Sequence, residues 1–178
     1  MAQSKTEKIR SGIEKYQFLR KRLFETDVSE DRDFQRAFNG FFRMGRRTEA
    51  YYVDFYRYLQ EHKGNGISFE KALTYMYERH GRMEMSFVSK MVAIVDPLFP
   101  IWDSVVTKGH FGIVAPYANA KNRLQKGVER YVHYCHCYDT YMQTAEAAAK
   151  IAEFENLSPI RGSRMLRNWI SCCGKTGE

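Results

Sequence analysis

Apolar residues recur in this chain at intervals of three and four almost from end to end, which restricts it to helices packed on helices. Over about residues 5–25 they are Ile9, Ile13, Tyr16, Phe18, Leu19, Leu23 and Phe24, with basic residues between them. That spacing makes an amphipathic helix with a basic outer face. The sequence has neither sustained period-two alternation nor an Asn-Gly hairpin between β-branched runs. The expected fold class is therefore all-α: a helical bundle forming a single domain over residues 1–178, with two lobes divided near residue 66. A chain of 178 residues with 44% apolar content can bury a core of its own. No run approaches the roughly 18 apolar residues of a membrane span. The polar start Met1-Ala2-Gln3-Ser4-Lys5 leads into no apolar segment, so a cytoplasmic protein is expected.

Local signals divide the chain further. Ser29 is expected to cap the second helix, with Glu30 and Asp31 in its first turn. That helix carries Phe34, Phe38, Phe41 and Phe42 and runs toward Arg43, Gly45, Arg46 and Arg47. A tyrosine-rich helix follows over about residues 49–62, and Gly64-Asn65-Gly66 breaks the chain. Ser68 caps a helix that stops at His80-Gly81, with Gly81 suited to a left-handed C-terminal position. From about Met83 to Val95 the chain is apolar on most faces, so this helix should be largely buried, and Asp96-Pro97 ends it. Pro100 sets up a short helix near Asp103–Thr107. After a loop marked by Gly109, Gly112 and Pro116, a long helix is expected from Ala118 or Asn119 to Glu155, broken near Gln143. A last helix is expected from about Ser163, ended by Gly174.

The net charge of +7 favours a polyanion as partner. Two basic sets stand out. Arg43, Arg46 and Arg47 lie between Phe41-Phe42 and Tyr51-Tyr52, a mixture suited to phosphate contact and base stacking, or to a solvated turn beside a packed aromatic core. Arg161, Arg164 and Arg167 recur every three residues and would line one helix face, as a phosphate stripe or a solvated surface. The cysteines fit zinc less well. Cys135-His136-Cys137 and Cys172-Cys173 lack the two-residue gap that grips one ion, although His133 and Cys137 would share a helix face. No metal and no cofactor is expected; small residues filling gaps between helices account for them.

The chemistry centres on Gly81-Arg82-Met83-Glu84, followed about twenty residues later by Phe99-Pro100-Ile101-Trp102-Asp103. A tight glycine turn opening an apolar helix, then a carboxylate after a proline at a helix start, resembles the catalytic hairpin of the helix-hairpin-helix DNA glycosylase superfamily. The likeness covers about residues 67–106. Ser86-Phe87-Val88-Ser89-Lys90 and Pro100-Ile101-Trp102-Asp103 look most like the oxoguanine glycosylase branch. The resemblance implies duplex DNA as partner, the hairpin's backbone N–H groups, around Gly81 and Arg82, presented to a phosphate, and Asp103 as the carboxylate near positive charge developing on the sugar. Asp103 can equally serve as the cap of its own helix.

Two positions depart from the family pattern. Met83 stands where the family usually carries its lysine, and methionine can neither attack a sugar nor form a Schiff base. The turn Arg79-His80-Gly81-Arg82 has one glycine rather than two. What the resemblance then implies is monofunctional excision, in which water attacks with Asp103 assisting. Lys90, two turns along from Met83, either reaches back toward the site or snorkels outward. A rival expectation is a catalytically inactive nucleic-acid or protein interaction module of the same fold. A third is a helical protein unrelated to DNA whose tyrosine-rich helices form a dimer interface.

Overall fold

The computed structural model describes residues 5–157. The expected helix from Ser163, with Arg161, Arg164 and Arg167, and the pair Cys172-Cys173 lie outside the described residues. Among those described, eight helices and no strand form, in agreement with the all-α expectation.

Helix α1, Lys5–Glu25, buries Ile9, Ile13, Tyr16, Leu19 and Leu23. Phe18 and Phe24 fall out of phase with this stripe and turn to solvent, 44% and 51% exposed. Helix α2, Arg32–Phe41, starts two residues later than Ser29 would place it. Its cap is Asp31, whose carboxylate accepts from the N–H groups of Asp33 and Phe34. Ser29 instead donates its N–H and hydroxyl to Asp27, closing the preceding turn. Asp31 wins the cap because it also accepts from Arg22 on α1 and from the Thr26 hydroxyl. The Arg22 guanidinium holds its carboxyl far below the ordinary carboxylate range.

Helix α3, Glu49–His62, has the expected limits; the Thr48 side chain caps it by accepting from the Tyr51 N–H. It packs Phe55 and Tyr56 against Phe34 and Phe38 of α2, and the Tyr56 hydroxyl donates to Asn39 at 2.8 Å. Lys63 follows it and donates to the carbonyls of Leu23 and Thr26, closing the C-terminal end of α1. Helix α4, Phe69–His80, is capped by Ser68 and ends at Gly81 with φ 64°, as its sequence requires.

Helix α5, Met85–Val95, buries eight of its eleven residues. It begins at Met85 rather than Met83, because the chain needs Arg82, Met83 and Glu84 to leave the left-handed turn. Arg20 on α1 donates to the carbonyls of Ile94 and Val95 at its far end, tying α1 across it. Helix α6, Ser104–Gly109, is one short piece capped by Asp103.

Helix α7, Arg123–Met142, begins later than Asn119, because Asn122 adopts a left-handed φ of 53° that no helix can carry through. It buries Gly127, Tyr131, Tyr134 and Tyr138, spaced four, three and four apart. The expected break near Gln143 is present, and α8, Ala145–Leu157, follows with Thr144 accepting from the Ala147 N–H. One hydrophobic cluster takes residues from both sides of residue 66, from Tyr16 to Tyr138. No helix among the described residues is long and apolar enough to cross a membrane.

Candidate nucleic-acid interface

The hairpin of α4 and α5 is built around Gly81. Its N–H donates to the Tyr77 carbonyl at 2.8 Å, and its positive φ turns the chain where a side chain would be strained. Arg82 stands exposed beside it, with Nε 3.2 Å from one oxygen of Glu84. The other Glu84 oxygen accepts from Arg47 at 2.9 Å. Glu84 occupies the cap position of α5 yet makes no capping bond, since both oxygens face arginines. The first N–H groups of α5 are therefore left without the side-chain acceptor that α2, α3 and α4 each possess.

A layer behind the turn holds it in place. Arg47 lies with Cζ 4.7 Å from the Phe87 ring centre, and the Glu84 hydrogen bond raises its already high pKa. Tyr51 packs edge-on to Phe87 and tilted on His80. Burial, then the charge of Glu84, push its hydroxyl pKa well above the usual phenol range. His80 Nε2 lies 3.1 Å from Asp54, which also faces Arg57 and Arg79. The turn thus sits on side chains from α3 and the loop before it.

Met83 does not point into an open site. Its Sδ lies 2.9 Å from where a Cβ on Gly127 would stand, with Leu73 beside it. Gly127 is glycine because α7 approaches Met83 this closely. Met83, in the turn between α4 and α5, is a packing contact with α7.

Asp103 sits on a clamped segment. The Ser89 hydroxyl, wholly buried on α5, accepts from the Trp102 N–H at 2.8 Å. From α7, the Tyr131 hydroxyl donates to the Pro100 carbonyl at 2.9 Å and the Tyr134 hydroxyl to that of Ile101 at 3.3 Å. Trp102 packs edge-on against Tyr134. Three consecutive residues before Asp103 are thereby fixed to two helices. The Asp103 carboxylate accepts from the Val105 N–H at 2.8 Å, so its capping role is present. Asp103 is half-buried. Lys90 is half-buried too, and its Nζ reaches back along α5 to 5.1 Å from the Phe87 ring centre.

The three arginines after α2 do not share one patch. Arg43 and Arg46 both adopt left-handed φ, 52° and 64°, and both are exposed. Arg43 lines a groove together with α1 residues, whereas Arg47 turns inward to Glu84. Near the cysteines, Cys137 Sγ is 3.7 Å from His133 Nε2, so these two do share a face. The Cys135 thiol turns inward and burial pushes its pKa up to about 12. No group of three metal-ligating side chains occurs among the described residues. Ser89 and the Glu84–Arg47 pair escaped the sequence reading. A serine in an apolar run signals a buried hydroxyl but not its partner thirteen residues on. The two ends of the ion pair are 37 residues apart.

No family model, no curated protein and no solved structure matches the chain.

Proposed function

We propose that this protein binds duplex DNA with the α4–α5 hairpin against the phosphate backbone, and excises a base by hydrolysis with Asp103 assisting. The observation that supports this reading is one combination of features. A left-handed glycine turn leads into a helix start without a side-chain cap, and half-buried Asp103 caps the next helix start after a segment fixed to α5 and α7. Orphan N–H groups and the helix dipole attract a phosphate, and exposed Arg82 adds positive charge beside them. The chain's net charge of +7 strengthens that attraction.

In the proposed reaction, water adds to the sugar carbon as the bond to the base breaks. The base departs with the bonding electron pair and takes up a proton. The Asp103 carboxylate offsets positive charge on the sugar and orients or deprotonates the water. Neither metal nor lysine nucleophile takes part.

A second reading is favoured by the packing of Met83: an interaction module of this fold that binds without excision. It predicts duplex binding with the base left in place.

Arg82→Glu tests the shared part of both readings. Arg82 is an exposed turn residue, so the fold should tolerate the change. Fluorescence anisotropy on a duplex at low salt should show affinity lowered about tenfold and a shallower salt dependence. Unchanged affinity would place the DNA contact elsewhere or nowhere.

A further inference from the structure

A groove of about 500 Å³ runs between α1 and α2, on elements that the hairpin does not use. Lys8, Lys15 and Phe18 line it from α1; Arg36, Gly40 and Arg43 line it from α2 and the turn after it. None of its described lining residues is acidic. Lys8 and Lys15 are seven residues apart and so stand two turns along one stripe of α1. Arg36 keeps a loose, fully solvated pair with Asp33 at 3.3 Å. A Cβ on Gly40 would meet nothing within 4 Å, which leaves open space above that backbone.

Arg43 carries the clearest mark of a role. The chain closes α2 through Met44 N–H to the Asn39 carbonyl at 2.8 Å, with Arg43 in the left-handed position between them. Glycine is the residue that position favours. An arginine held there, against a basic groove, is a backbone outlier of the kind that function maintains. Phe18 stands at the edge, 44% exposed, with Arg22 5.7 Å from its ring centre.

We propose that this groove binds a short stretch of single-stranded nucleic acid, its phosphates between Lys8 and Lys15 on one wall and Arg36 and Arg43 on the other, with a base stacked on Phe18. A groove lined only by cations among its charged residues, with an exposed aromatic at its lip, has the two components of single-strand recognition. Its volume is that of a small-ligand site, which admits a few unpaired nucleotides and excludes a double helix. A paired base would also have no free face to offer Phe18.

The test uses a labelled oligothymidylate of about 12 nucleotides, within the usual range of site sizes, and anisotropy at about 50 mM salt. The wild-type chain should bind it. Lys8→Glu with Lys15→Glu, both at exposed positions, should lower affinity at least about tenfold, and Phe18→Ala about tenfold. Arg43→Gly should weaken binding while raising the melting temperature, a pairing that a merely structural arginine would not give. Arg82→Glu should retain the oligonucleotide while binding duplex about tenfold more weakly, so that failure at one site is distinguishable from failure at the other. The proposal is overturned if the wild type does not bind the oligonucleotide, or if the double charge reversal binds it at full strength. Competition by polyglutamate as effective as by oligothymidylate would overturn the nucleic-acid assignment.

Discussion

Asparagine at position 103 is expected to leave stability within about 0.5 kcal/mol of wild type and to lower base excision at least about 100-fold. The separation follows from what the two side chains share. Asp103 accepts from the Val105 N–H, and asparagine caps a helix as well as aspartate does. The clamps from Ser89, Tyr131 and Tyr134 hold the preceding residues and not the carboxylate itself, so they survive the change. Asparagine carries no charge to set against a positive sugar and cannot take a proton from water. Single-turnover excision on a damaged duplex, beside a thermal melt of the same preparation, measures both halves. Full excision by Asp103→Asn would remove Asp103 from the chemistry. Alanine at the same position should cost about 1 kcal/mol by losing the cap as well.

Phe38→Ala should lower the free energy of unfolding by about 3–5 kcal/mol, the largest stability change expected of a single aromatic truncation here. The Phe38 ring is wholly buried and lies 4.6 Å from the ring centre of Phe42, 5.7 Å from Phe34, 5.8 Å from Phe55 and 5.9 Å from Tyr56. Its removal leaves a cavity joining α2 to α3, and rigid rings collapse into a void less readily than flexible side chains. For a chain of this size the melting temperature should fall by about 10 °C. Urea titration is the check: the midpoint should drop with an unchanged slope. A loss under about 1 kcal/mol would contradict the close aromatic packing between α2 and α3.

Local chemistry made most helix limits legible. Ser68, Gly81 and Pro97 act through their own backbone neighbours, so α4 and the end of α5 fall where those residues put them. Ser29 failed as a cap because its competitor, Asp31, draws on Arg22 of the helix before and on Thr26 just after that helix. Asn122 hid the start of α7, since an asparagine there can as well be helical as left-handed. Phe18 and Phe24 read as core residues until the phase of α1 was fixed by what it packs on. At the site, the glycine turn and the capping carboxylate were visible as spacing. Glu84 facing Arg47, Ser89 under Trp102 and Met83 against Gly127 were not, because each joins segments that meet only in the folded chain. The same holds for the basic groove: Lys8 and Lys15 show a charged face, but only the fold sets that face opposite Arg43.

The most direct measurement is anisotropy against salt on two duplexes, one undamaged and one carrying an abasic-site analogue. With a hairpin on the backbone and Asp103 facing a sugar, binding should be tighter to the analogue, and log K should fall linearly with log salt on both. Equal, steeply salt-dependent binding would leave a module that holds DNA without reading a lesion. Binding to neither duplex would contradict the central claim that the α4–α5 hairpin engages DNA.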